Sequence, residues 1–167
     1  TAFFMQKTKP SKKFFYNINM YKQMHIEGYN KIDGGYIDRD KSFNGMSTIP
    51  YAPIIKKIID KNEIYSLLDY GCGKGDIVEE GIKRGFNFYG VEAFAYGSGV
   101  NIKEQLQLKG LLDSRVKAID INTNHIPFPD NYFDFVISNT VFEHVVNIDL
   151  ALSEINRVLK DGGTMLS

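Results

Sequence analysis

The stretch Leu67–Asp76, reading Leu-Leu-Asp-Tyr-Gly-Cys-Gly-Lys-Gly-Asp, constrains the fold more than any other part of this chain. A short apolar run ends in an acid, and glycines then alternate with Cys72 and Lys74. After Asp76 the pattern becomes helical. Glycine tolerates positive φ and lets a ligand come close to the backbone. A strand running through a glycine loop into a helix is where open α/β sheets bind small molecules.

The rest of the chain supplies the sheet. Strands are predicted at Tyr65–Tyr70, Phe86–Ala93, Val116–Ile121 and Tyr132–Ser138, with the start of a fifth at Thr164–Ser167. Between them the spacing predicts helices over Ile77–Arg84 (closed by Gly85), Ile102–Leu111 and Ile148–Leu159. Gly97-Ser98-Gly99 and Asn122–Asn131 read as loops, and Asp161-Gly162-Gly163 as a turn. A further helix is predicted at Pro50–Ile59, with four isoleucines on one face. This alternation predicts an α/β, doubly wound, mostly parallel sheet with helices on both faces, and all strand C-termini at one edge. The main domain is expected over residues 48–167. Residues 1–47 mix aromatics and methionines with polar residues and show no clean period. They are expected to form an extension that packs on or over the ligand edge.

Composition narrows the function classes. The 167 residues suit one domain with a sizeable core. Twenty basic residues balance twenty acidic ones, so no global field favours nucleic acid or an anionic membrane. Four lysines between Lys7 and Lys13 read as a solvated terminus. Cys72 is the single cysteine, which excludes an internal disulfide and fits a cytoplasmic protein. No apolar run reaches the roughly 18–20 residues of a membrane span. The first residue is Thr1 rather than Met, which points to processing or a longer parent chain.

Three nucleotide readings compete for the glycine loop. A phosphate-binding loop needs Gly-Lys followed by Ser or Thr, but Gly75 follows Lys74. A dinucleotide fingerprint spaces its third glycine one position later than Gly71, Gly73 and Gly75 allow. Asp69 and Asp76 flank the loop; two carboxylates would repel a pyrophosphate and suit an ammonium or sulfonium group. Glu92 follows Gly71 by 21 residues, a spacing that places an acid on ribose hydroxyls. Asp120, expected at the end of the third strand, is placed to accept a hydrogen bond from an adenine amino group. Acids for an amino-acid head, a ribose and a base together describe S-adenosylmethionine.

From about Pro50 to Ser167 the chain resembles the class I S-adenosylmethionine-dependent methyltransferases of small-molecule type. Three stretches carry the resemblance in order. They are Leu-Leu-Asp-Tyr-Gly-Cys-Gly-Lys-Gly, then Ile-Pro-Phe-Pro-Asp-Asn-Tyr-Phe-Asp-Phe-Val-Ile-Ser-Asn, then Glu-Ile-Asn-Arg-Val-Leu-Lys-Asp-Gly-Gly. In the last, Asp161 stands where the family usually has proline. The resemblance implies that Asp69, Gly71, Cys72 and Gly73 surround the methionine end of the cofactor. It places Glu92 on the ribose, Ala93 against the adenine, Asp120 and Ile121 at the base, and Asn139 along the pocket. The implied reaction is methyl transfer to a small-molecule acceptor, leaving S-adenosylhomocysteine. The competing readings are a non-catalytic module binding the same cofactor and, less favoured, an NAD-dependent oxidoreductase.

Methyl transfer from a sulfonium is an in-line displacement for which a protein mainly supplies alignment. His144, in Val141-Phe142-Glu143-His144-Val145 after the fourth strand, is the candidate general base for an acceptor that must lose a proton. Some family members acting on quinone precursors carry Glu-x-x-Glu-His at this place and use it for a metal. Thr140 replaces the first glutamate, so no metal site is expected. The family's sheet also continues beyond the fifth strand into an antiparallel hairpin, whereas this sequence ends at Ser167. An open sheet edge is therefore expected beside the fifth strand, to be completed by a missing segment or a partner.

Overall fold

The computed structural model describes residues 4–6, 64–94, 99–139 and 141–167. The helix expected at Pro50–Ile59, most of the N-terminal extension and Thr140 lie outside the described residues. Six strands are described: β1 (Phe4–Gln6), β2 (Ser66–Tyr70), β3 (Asn87–Glu92), β4 (Val116–Ala118), β5 (Phe133–Ile137) and β6 (Leu159–Leu166). They form one sheet in the order β1-β6-β5-β2-β3-β4. The pairings β4–β3, β3–β2, β2–β5 and β5–β6 are all parallel, and β1 is antiparallel to β6. Strand order reverses at β2, between β3 and β5, so the glycine loop leaves the sheet at its switch point.

Alternation along each strand sorts the core into two layers. Leu67, Phe88, Val116, Phe135 and Ile137 face α1 (Asp76–Lys83) and α2 (Gly99–Leu108), where Ile77, Val78, Ile102 and Leu106 meet them. Leu68, Tyr70, Val91, Val136 and Met165 face α3 (Ile148–Val158), which contributes Ala151, Ile155 and Val158. The α/β architecture with helices on both faces is the one expected. Gly81 lets α1 lie against β3, since a Cβ there would overlap the ring of Phe88.

Three boundaries depart from expectation for local reasons. β4 ends at Ala118 because the Asp120 carboxylate accepts the Asn122 N–H at 2.8 Å, and the Asp120 carbonyl takes those of Thr123 and Asn124. This turn takes the chain out of the ladder. The turn at Asp161-Gly162-Gly163 is instead an irregularity within β6. Phe133 pairs with Leu159, yet Phe135 pairs with Thr164, and Gly162 at φ 80° accommodates the excess. The edge beside β6, expected to stand open, pairs with β1 in the register Phe4–Leu166, Met5–Met165 and Gln6–Thr164.

Candidate cofactor site

The C-terminal ends of β2, β3, β4 and β5 bring the predicted residues to one edge. Gly71, Gly73 and Gly75 all have positive φ, at 81°, 52° and 71°. The Gly71 and Cys72 N–H groups both donate to the Val91 carbonyl, at 2.9 and 3.1 Å, tying the loop to β3. A Cβ on Gly71 would overlap both methyls of Val141, so glycine there admits the chain that follows β5. Among the described residues, a Cβ on Gly73 would meet nothing within 4 Å. Gly73 is thus the loop position whose backbone a ligand can approach.

Glu92 closes the loop from the other side. Its two oxygens accept the N–H groups of Gly73 at 2.8 Å and Ala93 at 3.0 Å. Burial pushes its carboxyl up from the usual range, and these two bonds oppose that shift. Asp69, on the last turn of the pleat in β2, is 5% exposed, and no donor among the described residues reaches its carboxylate. Burial, reinforced by the charge of Glu92, pushes it up to about 8. A buried acid without a donor is costly, and a cation beside it removes that cost.

The flanking acids therefore divide. Lys109, one residue past α2, pairs with Oδ1 of Asp76 and offsets its charge, while Oδ2 is buried without a hydrogen-bond partner among the described residues. The same Lys109 ammonium donates to the Lys74 carbonyl at 2.9 Å. This ion pair fastens the far end of the glycine loop to α2, leaving the cationic argument to Asp69. Cys72 also differs from a side-chain contact: its thiol is 6% exposed and packs against Gly90, where a Cβ would meet the sulfur at 2.6 Å. Burial pushes the thiol pKa up.

On the base side, Asp120 is exposed, and its Oδ1 is occupied by the backbone and side-chain amides of Asn122 at 2.8 and 2.6 Å. These bonds hold its pKa below the usual carboxylate range. Ile121 and Asn139 are half-buried beside the same edge. His144 ends a 3₁₀ turn, Phe142–His144, with its backbone N–H on the Val141 carbonyl at 2.8 Å. Its Nε2 lies 4.0 Å from the Glu143 carboxylate. Among the described residues no three His, Cys, Asp or Glu side chains converge as a metal site.

Several residues that organise this edge carried no sequence signal of their own. The buried Ser138 hydroxyl donates to the Tyr70 carbonyl at 3.0 Å, fixing the exit of β5 against that of β2. At the opposite end of the same strands, Asp134 accepts from the Tyr65 and Ser66 backbone, the Ser66 hydroxyl and Lys160. Burial raises its pKa, but these bonds outweigh it and the net shift is downward.

The geometry agrees with comparison to known proteins. A family profile described as a methyltransferase domain matches residues 68–167. The chain is 34% identical over 103 residues to a ubiquinone/menaquinone biosynthesis C-methyltransferase of Bradyrhizobium sp., covering 61% of this chain and 41% of that protein. It is 36% identical over 104 residues to the sterol 24-C-methyltransferase ERG6B of Gibberella zeae, covering 58% of this chain and 25% of that protein. The chain thus spans less than half the length of these curated relatives. Among solved structures, a putative S-adenosyl-L-methionine-dependent methyltransferase from Methanococcus maripaludis superposes with a TM-score of 0.52 at 21% identity. That match covers 95% of this chain and 66% of the other, and shows a shared fold. Among the described residues no helix is long and apolar enough to cross a membrane. The profile match over residues 68–167, on a sheet whose switch-point loop carries the expected glycines and acids, places this chain in the class I S-adenosylmethionine-dependent methyltransferase family.

Proposed function

We propose that the chain is the cofactor-binding part of a cytoplasmic methyltransferase that acts on a small-molecule acceptor. The observation carrying this reading is the pairing, among the described residues, of a Gly73 with open space beside it and a buried Asp69 carboxylate that no donor reaches. S-adenosylmethionine supplies a methyl group already activated on a sulfonium. Asp69 offers the negative charge for its cationic end, and the backbone of Gly71, Cys72 and Gly73 borders that end. Glu92 retains lone pairs for the ribose hydroxyls beyond those used by Gly73 and Ala93. Ala93 and Ile121 flank the adenine, the free Oδ2 of Asp120 accepts from its amino group, and Asn139 lines the pocket. His144 takes the proton from a hydroxyl or amine acceptor.

The names of the relatives that act on quinone precursors or sterols support a small-molecule acceptor, as does the balanced charge of this chain. Calorimetric titration with S-adenosylhomocysteine and with NAD tests the cofactor reading. Binding of the former and no heat from the latter is expected. Tight NAD binding with no response to S-adenosylhomocysteine would overturn it.

A further inference from the structure

Tyr70 is the last residue of β2 and 1% exposed, yet its hydroxyl is satisfied. It donates to Asn124 Oδ1 at 3.1 Å, a buried bond across 54 residues of sequence. Asn124 is 4% exposed and holds φ at 51°, an uncommon conformation for a residue other than glycine. Its backbone N–H donates to the Asp120 carbonyl at 2.7 Å, which closes the turn that carries Asp120 and Ile121. Its Nδ2 makes a long 3.5 Å contact with the carbonyl of Asn147, the residue that caps α3 through Leu150 N–H. The Tyr70 ring stacks on Phe142 with centroids 5.9 Å apart and planes 17° from parallel. Phe142 begins the 3₁₀ turn that ends at His144.

One side chain therefore reaches both flanks of the edge from the strand that feeds the glycine loop. Its ring meets the turn of the candidate base, and its hydroxyl meets the turn of the candidate adenine acceptor. Burial, with the charges of Glu92 and Glu154, keeps the phenol protonated and hence a donor.

We propose that Tyr70 is a positioning residue that sets the base-recognising turn at Asp120–Ile121 in register with the glycine loop, through its hydroxyl bond to Asn124. This rests on the reading that Asp120 meets the adenine amino group. If the bond fails, the turn keeps its internal hydrogen bonds but loses its anchor to β2. The consequence is then a loss of selectivity for the base, not a uniform loss of binding.

The test compares S-adenosylhomocysteine with S-inosylhomocysteine, which carries an oxygen where adenine has its amino group. By titration calorimetry the chain is expected to prefer the adenosyl compound by about tenfold, as one hydrogen bond to a charged acceptor allows. Tyr70→Phe keeps the ring on Phe142 and removes the donor; the preference is expected to fall to about threefold or less. Asn124→Gly removes the acceptor at a φ that glycine adopts freely, and the same fall is expected there. A role confined to stability would weaken both ligands equally and leave the ratio unchanged, which overturns the proposal. No preference in the unsubstituted chain would overturn the Asp120 assignment and this proposal with it. Failure to bind either ligand would overturn the cofactor reading itself.

Discussion

Gly73→Ala separates the glycine that serves a ligand from those that serve the fold. Position 73 has φ 52°, and a Cβ there meets nothing within 4 Å among the described residues. The substitution therefore carries only the left-handed backbone penalty, about 1–2 kcal/mol. Against a total stability of about 5–15 kcal/mol the domain stays folded. At about 2–4 °C per kcal/mol for a domain of this size, the melting temperature should drop by about 2–8 °C. The new methyl group would occupy the space through which a ligand approaches the loop. Affinity for S-adenosylhomocysteine should fall by at least about tenfold, or about 1.4 kcal/mol. Gly85→Ala is the matched control: φ is 87°, a Cβ there also meets nothing within 4 Å among the described residues, and the residue lies between α1 and the start of β3, at the opposite end of the strands from the ligand edge. It should show the same thermal loss with unchanged affinity. Gly71→Ala meets the Val141 methyls as well as an unfavourable φ, so both stability and binding should suffer. Calorimetric titration and thermal melts of the three variants decide the matter. If Gly73→Ala weakens binding no more than Gly85→Ala, the open face of the loop is not the ligand face.

Asp69 should make both stability and binding depend on pH. Its carboxyl titrates near 3.8 when unfolded and at about 8 when folded, so the folded state holds the extra proton between those values. Stability from this group is full below the lower value and declines as pH rises to about 8. Between pH 6 and 9 wild type should lose stability in urea titrations relative to Asp69→Asn; parallel curves would refute the assignment. A cationic ligand favours the ionised acid, so affinity for S-adenosylmethionine should rise over the same range and stay flat in the asparagine variant. His144→Ala should bind S-adenosylhomocysteine normally and slow turnover of a hydroxyl acceptor at least about tenfold, measured by methyl transfer; undiminished turnover would leave His144 as scaffold. Arg157→Ala removes bonds to Glu154, Asp130 and the carbonyls of Ile126 and Phe128. It should cost about 2–3 kcal/mol in urea denaturation, and a loss under about 0.5 kcal/mol would show that the clamp is dispensable.

What was legible in advance were features governed by neighbours in sequence. Apolar alternation located β2, β3 and β5, and the glycine spacing located the turn after β2 because positive φ at three alternate positions leaves few other residue choices. The ends of elements were less legible where a side chain competes with the ladder, as Asp120 does beyond β4. Long-range pairing was not legible. Asp76 reads identically in sequence whether it faces a ligand or Lys109, 33 residues away, and only the packing of α2 against α1 decides. Cys72 follows Asp69 by three residues in the chain, but loop geometry sends its thiol into the core beside Gly90. The partner of β6 comes from the opposite end of the chain at Phe4–Gln6, a pairing that no local pattern encodes.

The three stretches that carried the family resemblance do different physical work. The first runs from the buried Leu67 and Leu68 of β2 into the glycine loop at the cofactor edge. In the third, Glu154 accepts the Ile126 N–H at 2.9 Å and the His125 ring at 3.0 Å, while Arg157 donates to the carbonyls of Ile126 and Phe128. The second stretch begins with those residues, so the Glu154–Arg157 pair on α3 clamps its loop directly. Further along the second stretch, Asp134 bonds the start of β2 at Ser66 and takes Lys160 from β6. Phe128, held in place by this clamp, packs edge-on against Phe133 and Tyr89, while Lys117 from β4 sits 4.6 Å from its ring centre. The loop between β4 and β5 is therefore pinned at one end by Arg157 and Glu154 and at the other by Tyr70 through Asn124. The turn from Asp120 to Asn124, four polar residues and the half-buried Ile121, has little apolar surface to hold it against thermal motion. These anchors give an exposed acid such as Asp120 a fixed place at the ligand edge.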